Sequence, residues 1–572
     1  MLIKISYHDI MPLTESQILS LVKKSGLLLL DESTIAKAED FASKNRSSSL
    51  LSSLVESGVI TTEQIGTIIA NHYNVPYVTL SKESIPADVA HIIPEKIARR
   101  QKAVAFARNA DGVKVALSDP SNKDLLAMVA RKTGERAIAY YANESEIEAT
   151  IGLYQKALQN TIDELLAEYV KQATLYKGDL PIIKVVDELI SAAYHDRSSD
   201  VHIEPEEKTS LIRFRIDGVL QDVLRVPREV HERIISRIKV LSSLRTDEHL
   251  SAQDGKMTEK MEEEDLDIRV SIIPVTQGEK AVLRLLSGHS RQYTLSDLGM
   301  DHNDLQKVTK AYNRSFGMIL STGPTGSGKT TSIYSILKIL NTREKNIMTI
   351  EDPVEYRIQG ANQVQVNAKT NLTFANGLRS ILRQDPNVIF VGEIRDSETA
   401  GIAVNAALTG HLVLSTLHTN DAATTIPRLT DMKVEPFLVA STVNIIIAQR
   451  LVRQICSSCK TEEKLQVSEI LAHFPIELVQ KHFGTATEVT VFKGTGCKIC
   501  RNTGYSGRLG LFEVLEVTKE IRRLVAEKAD SDVIALAAIK EGMKTMLEDG
   551  LVKVASGATT LEEIVRVTKV EN

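Results

Sequence analysis

The chain has 572 residues, of which 43% are hydrophobic and 25% charged, with a net charge of −5. That composition is that of an ordinary globular protein of several domains, and its acidity argues against a nucleic-acid footprint spread over the whole chain. No apolar run reaches the ~18 residues of a membrane-crossing helix, and the start, MLIKISYHDIMPLTES, lacks a basic stretch followed by an apolar core, so a cytoplasmic protein whose four cysteines are not structural disulfides is expected.

In chain order, residues 1–80 read as a helical module with a weak internal repeat, LVKKSGLL from Leu21 and LVESGVI from Leu54. Each apolar pair meets a Gly stop, then an acidic or Thr-rich cap and a new helix. Residues 81–155 mix short strands (AVAFA, GVKVAL) with helices (NKDLLAMVARKTG, ESEIEATIGLY), the pattern of a small α/β module. Residues 156–178 read as a linker, one polar helix followed by YKGDLP. From 179 to 290 a helix with 3.6-residue periodicity (PIIKVVDELISAAYHD) precedes alternating strands (SLIRFRIDGVL, DLDIRVSIIP, AVLRLL), which predicts an α+β domain. Residues 291–455 alternate strands and helices as an α/β nucleotide-binding core does. Residues 456–510 hold all four cysteines, and 511–572 read as mostly helical.

The core contains Gly323-Pro324-Thr325-Gly326-Ser327-Gly328-Lys329-Thr330-Thr331, flanked by a strand-like run (FGMILST) and a helix-like run (TSIYSILKIL). That is the context of a phosphate-binding loop. Glycines permit the turn and the close approach of backbone N–H groups to phosphate, and the helix directs its positive end at the same oxygens. Lys329 is placed to reach β/γ-phosphates of ATP, and the Thr330 hydroxyl to ligate Mg²⁺.

Four more groupings surround that loop. IMTIEDPVEY sets Glu351, Asp352 and Glu355 at a strand end, where carboxylates order water or Mg²⁺; a solvated acidic turn is the plainer alternative. NVIFVGE reads as a buried parallel strand with Glu393 at its C-terminal end, where ligands bind in open α/β sheets; Gly392-Glu393 stands where the usual aspartate of a second nucleotide motif is expected. HLVLSTLHTND is a strand bracketed by His411 and His418, either structural histidines or, for His418, a γ-phosphate sensor. Arg269 and Arg284 on strands of the preceding domain, and Arg379, Arg383 and Arg395 in the core, are either solvated faces or arginine fingers.

Cys456-x-x-Cys459 and Cys497-x-x-Cys500 flank residues 460–496. Paired thiolates two residues apart close on one ion, and four give a closed tetrahedral Zn²⁺ site with a structural role. Free thiols or a redox pair are the alternatives. The long spacing predicts an inserted helix, VSEILAHFPIELVQKHF.

GPTGSGKTT, TIEDPVEY, LRSILRQDPNVIFVGEIRDSETA and ALTGHLVLSTLHTNDA together resemble the four signature boxes of the type II secretion and type IV pilus assembly ATPases, and SSDVHIEP, RFRIDGVL, QDGK and DIRVS resemble that family's N-terminal half of the motor. The resemblance covers residues 180–572 strongly and 15–155 more loosely. It implies a multidomain α/β protein: a RecA-like P-loop ATPase core preceded by a PAS-like α+β domain and the N-terminal helical and small α/β modules. It implies ATP hydrolysis with Mg²⁺, Glu351 as general base, Glu393 as the Walker-B carboxylate, His418 as the His-box histidine, and Arg269 and Arg284 aimed at the γ-phosphate. It also implies a homo-hexamer, peripheral at the inner face of the cytoplasmic membrane, that acts on a membrane platform protein. GCKICRNTGYSGRLGLFEVL resembles the family's second cysteine knuckle, which the shorter retraction ATPases lack.

Many relatives carry Arg-Leu-Gly ahead of the Leu-Val pair in the N-terminal repeat and bind cyclic di-GMP there. Here the aligned triplet is Ser49-Leu50-Leu51, without the cation or the glycine, so the module is expected to dock a partner. Two readings from other classes compete with the ATPase motor. A nucleic-acid-translocating motor is disfavoured by 4% aromatics and no Trp, which leave few stacking platforms. A regulatory subunit without turnover is disfavoured by the intact Lys329, Glu351 and Glu393.

Overall fold

A computed structural model describes residues 15–24, 60–80, 83, 85–90, 92–109, 111–151, 158–173, 182–261, 264–286, 293–484, 486–497 and 500–568. The Ser49-Leu50-Leu51 triplet, the Leu54-Val55 pair and the YKGDLP stretch lie outside these residues. The chain forms two compact units, residues 1–157 with the short segment 497–502, and residues 158–496 with 503–572.

In the first unit, helix Thr62–His72 starts at a capping box: Thr61 Oγ1 accepts from Gln64 N and Gln64 Oε1 accepts from Thr61 N. Strands β1 (Ala103–Asn109), β2 (Gly112–Leu117) and β3 (Ala137–Tyr141) form one sheet in the order β1-β2-β3. Helix Lys123–Thr133 runs from its Asn122 cap to Gly134, whose left-handed conformation (φ 71°) ends it. Val104, Val115, Val129 and Ile147 meet in the core of this unit.

The second unit holds two large sheets. Strands β4 (Asp200–Pro205), β5 (Thr209–Ile216), β6 (Val219–Pro227), β7 (Gln253–Lys260), β8 (Asp265–Val275) and β9 (Gly278–Leu286) are all antiparallel, in the order β6-β5-β4-β9-β8-β7. Asp217-Gly218 closes β5 to β6 with φ of 50° and 86°, the two-residue hairpin that needs a left-handed pair. Along β8, Leu266, Ile268, Val270 and Ile272 are buried while intervening residues are not, as a half-buried strand requires. Their inward face packs on helices Ile182–His195 and Arg228–Leu241, whose apolar stripes share the same core.

The other sheet has the order β12-β11-β13-β14-β10-β15-β18. Its strands are β10 (Gly317–Thr322), β11 (Ile347–Glu351), β12 (Ala361–Gln365), β13 (Val388–Val391), β14 (Leu412–Leu417), β15 (Val443–Ile455) and β18 (Tyr505–Glu516). All adjacent pairs are parallel except β15 with β18. β10, β13 and β14 are buried along their full length. Met318 and Leu320 enter one core and Ile319 the other, so helices cover both faces. Each fully buried Leu or Ile contributes roughly 1.5–3 kcal/mol. β16 (Lys460–Gln466) and β17 (Glu488–Gly494) form a separate hairpin-like pair, and helices Val467–Leu471 and Ile476–Phe483 lie between them in sequence. The strand order sets β14 between β10 and β13, with β11 beyond. The segments leaving the C-terminal ends of these four strands are therefore neighbours, and that edge carries the site.

Candidate nucleotide site

The loop after β10 turns through Gly323, Gly326 and Gly328 at φ of 142°, 79° and 88°, conformations that L side chains avoid. At Gly323 a Cβ would stand 2.3 Å from the Gln449 carbonyl oxygen. Gln449, buried on β15, accepts from Ser332 Oγ at 2.7 Å and braces the loop from beneath. Helix Lys329–Leu340 begins directly at the loop, and Ile333, Ile336, Leu337 and Leu340 anchor it in the core. The loop's free N–H groups and the helix's positive end thus face the same space.

Lys329 is folded back on this loop. Its ammonium donates to the carbonyl oxygens of Gly323 at 2.8 Å and Pro324 at 3.0 Å. Burial lowers its pKa to about 8, against the opposing pull of Glu393. Carbonyl dipoles compensate a buried cation less well than an anion does. Thr330 and Thr331 follow on the first turn, both partly exposed.

Glu393 follows β13 by two residues. Its Oε2 lies 2.6 Å from Arg395 Nε and 3.4 Å from His418 Nε2. His418, directly after β14, is pushed toward its neutral form by burial and by the charge of Lys329. Thr419 N donates to Thr322 Oγ1 at 2.9 Å, which ties the segment after β14 to the end of β10. At Gly392 a Cβ would lie 3.2 Å from the Glu351 Cα and the Ile350 carbonyl oxygen, so the end of β11 passes close to this position. Beside this group a cleft is lined by Ile394, Arg395, Leu417, His418, Arg428 and Met432.

Glu351 closes β11, on the strand next to β13. It is 2% exposed and lies inside a cage of donors: the Tyr334 hydroxyl, Thr349 Oγ1 at 2.7 Å and Gln363 Nε2 at 3.1 Å. Burial pushes its pKa up against those donors. Of the three acids in this segment, Asp352 is exposed, while Glu355, partly exposed, pairs with Arg269 at 3.2 Å.

The arginines separate by partner. Arg269 reaches from β8 to the loop after β11, donating to the Val354 carbonyl at 2.7 Å as well as pairing with Glu355. Arg284 on β9 stands opposite Arg269 in register and donates to Asp200 Oδ1 at 3.0 Å. Arg379 pairs with Glu398 at 2.6 Å, and Arg383 donates to the Arg379 carbonyl and to Ser380. His411 bonds the Ala406 carbonyl at 2.9 Å, a structural contact.

Away from this edge, the first cysteine pair links β15 to β16 and the second links β17 to β18. The β15–β18 and β16–β17 pairings hold Ile455 opposite Tyr505 and Lys460 opposite Gly494. The four sulfur atoms lie within 4.8 Å of one another, with Cys456, Cys459 and Cys500 buried. Zinc with Zn–S bonds of 2.3 Å sets tetrahedral sulfurs about 3.7 Å apart, so donor set and spacing fit one ion.

Reading residues singly missed Tyr334, Gln363 and Gln449. A tyrosine four positions after Thr330, the one aromatic residue of a buried helix, was the available signal for the first; the two glutamines carried none.

The family profile described as "Type II/IV secretion system protein" matches residues 176–566, and that described as "MshEN domain" matches 73–161. The chain is 38% identical to "Type IV pilus assembly ATPase PilB" of Myxococcus xanthus, over 94% of this chain and 98% of that protein. It is 46% identical to "Type II secretion system protein E" of Pectobacterium carotovorum, over 69% of this chain and 77% of that protein. Among solved structures, the Legionella pneumophila ATPase DotB aligns with a TM-score of 0.50 at 21% identity, over 67% of this chain and 94% of that one, a likeness of fold.

Proposed function

The chain belongs to the type II/IV secretion system protein family and is an ATPase, and from that premise we propose that it is the motor of type IV pilus assembly or of a type II secretion pseudopilus. In this reading it works as a homo-hexamer, peripheral at the inner face of the cytoplasmic membrane, and transmits hydrolysis to a platform protein there. Among the described residues no helix is long and apolar enough to cross a membrane, so attachment through that partner is the consistent route. The carrying observation is the convergence of Lys329, Glu393 and His418 at the adjoining ends of β10, β13 and β14, with Glu351 on the next strand.

In this reading each residue has a role. Gly323 to Thr331 cradle the phosphates of ATP; Lys329 leaves its carbonyls for the β/γ-phosphates, and the Thr330 hydroxyl would ligate Mg²⁺. Glu393 would hold the water shell of a bound Mg²⁺, His418 reads the γ-phosphate, Glu351 takes the proton of the attacking water, and Arg269 and Arg284 offset the charge on the transferring group. Zn²⁺ in the four-cysteine cluster would lock the two knuckles and supplies no chemistry to hydrolysis. Nucleic acid is not a partner in this reading.

The test is Mg²⁺-dependent ATP turnover by the purified chain, with its mass measured in solution. Hydrolysis that survives Glu393→Gln, or a nucleotide-bound protein that stays monomeric, would refute the respective parts. Metal analysis should find one zinc per chain, and Cys456→Ser should release it and lower the melting temperature; a metal-free native protein would remove the zinc assignment.

A further inference from the structure

Tyr334 lies on the helix that begins with Lys329 and Thr330, four residues after Thr330 and so one turn along. It is fully buried. Its ring is held edge-on by Tyr356, with centroids 4.6 Å apart, and by Phe390 of β13 at 6.0 Å. Tyr356 belongs to the same loop as Glu355, which Arg269 holds. The phenol therefore sits where the phosphate-loop helix, the loop after β11 and the β13 strand meet, and there it donates to Glu351. Gln363 completes the arrangement: its Nε2 donates to Glu351 Oε1 at 3.1 Å and to the Tyr356 carbonyl at 3.2 Å, while its Oε1 accepts from Ile358 N at 2.7 Å.

A carboxylate offers about four acceptor positions. Three of those on Glu351 are filled by donors from three different elements, and 2% exposure leaves water little approach. The carboxylate is oriented, and it is also withheld from a water until a donor yields. We propose that Tyr334 is a positioning residue for hydrolysis, together with Gln363: the phenol aims Glu351 and ties its release to the helix that carries the phosphate ligands. This rests on the reading of Glu351 as general base. The titratable groups facing Glu351 are Tyr334 itself and Glu355 on the loop, whose charge Arg269 meets; β12 presents the neutral Gln363 and β13 presents Phe390.

A purely structural tyrosine would also be buried and bonded, so the test needs a kinetic signature. Tyr334→Phe keeps the ring packing and deletes the donor. The expected result for the full chain is a kcat lower on the order of tenfold, with KM for ATP within about twofold and a protein that stays folded with a modestly lower melting temperature, because a buried carboxylate has lost a donor. Loss of a donor to the carboxylate raises its pKa, so the acidic limb of the kcat–pH profile should move upward. In a Glu351→Gln background the same substitution should have no further effect. Gln363→Met, on a partly exposed strand, should move the acidic limb in the same direction. Wild-type kcat and pH profile in Tyr334→Phe would overturn the proposal, as would an unmoved limb in Gln363→Met. A Tyr334→Phe penalty that persists unchanged in Glu351→Gln would also overturn it, leaving the general-base reading intact. Full turnover by Glu351→Gln alone would instead remove that reading and the proposal with it.

Discussion

In the seven-stranded sheet, β10, β13 and β14 are buried from end to end, and Glu351, Glu393 and His418 stand where β11, β13 and β14 stop or just beyond. In the six-stranded sheet, β8 buries alternate residues, and Arg269 and Arg284 project from the other face within the run of the strands. The difference follows from pairing. A parallel sheet needs crossover helices on both faces, which leaves only its edge of strand ends for chemistry. An antiparallel sheet can leave one face uncovered and carry charge across it. Arg269 and Arg284 stand opposite each other there, a like-charge pairing that costs free energy unless each finds an anion. Each has one: Arg269 pairs with Glu355, and Arg284 with Asp200. At the strand-end edge Lys329 is held by backbone carbonyls, whereas on the arginine face each cation is held by a carboxylate, which under the proposed function it would have to exchange for a phosphate.

The sharpest way to break this comparison is to remove the cradle's cation. Lys329→Ala should weaken ATP binding by about 100-fold or more, as expected when a buried, charge-assisted contact loses one partner, and turnover should vanish with it. Glu393→Gln should bind ATP normally in the same calorimetric assay while hydrolysing it poorly. Wild-type affinity in Lys329→Ala would mean that the cradle does not hold the phosphates.

Next come the arginines. Replacing Arg269 or Arg284 with Ala should lower kcat by factors on the order of 10³ without unfolding the protein, although neither residue lies in the seven-stranded sheet. Their resting partners sharpen the contrast. Arg269→Ala also cuts a link to the loop after β11, so it should lower the melting temperature more than Arg284→Ala, whose contact stays within its own sheet. Unaltered turnover in both would return them to surface charges.

A smaller effect concerns acid stability. Glu563 on the helix Leu561–Thr568 is buried, and although burial alone would push its pKa up, hydrogen bonds from Arg566 and Arg453 hold it at about 2, against an ordinary 4.5. A carboxyl so depressed contributes on the order of 3 kcal/mol. The contribution is complete above pH 4.5 and is lost as pH falls toward 2. Glu563→Gln should therefore destabilise the protein at pH 7 and flatten the dependence of unfolding free energy on pH between about 4.5 and 2. A denaturation series that shows the wild-type slope in the variant would contradict this.

The smallest expected signal is none at all. With Ser49-Leu50-Leu51 in place of a cation and a glycine, the full chain should give no heat with cyclic di-GMP at micromolar concentration, while deletion of residues 1–155 should still impair function in the cell. Measurable micromolar binding would mean that the triplet is not where the ligand would be read.

Local sequence was enough for the phosphate loop, the strand before it and the helix after it, and the parallel, doubly covered character of the core. GPTGSGKTT needs its glycines for backbone reasons that hold in any context, and an uninterrupted apolar run such as VIFV has nowhere to be exposed. The alternation in DLDIRVSIIP likewise announced a one-sided strand, and the cysteine spacing announced two knuckles. Only the tertiary structure decided what these pieces meet. It set β14 between β10 and β13, so that His418 and Glu393 approach across a strand boundary; it gave β15 an antiparallel neighbour from residues 505–516; and it drew the cysteine pairs together through two separate strand pairings. It also decided that Glu351 is enclosed by Tyr334, Thr349 and Gln363, and that Arg269 reaches the loop after β11 while Arg284 turns to Asp200. Local patterns report periodicity and backbone demands within a few residues. A donor supplied from a helix, or a carboxylate opposite an arginine across a sheet, depends on strand order and register, which the long-range packing of the whole unit settles.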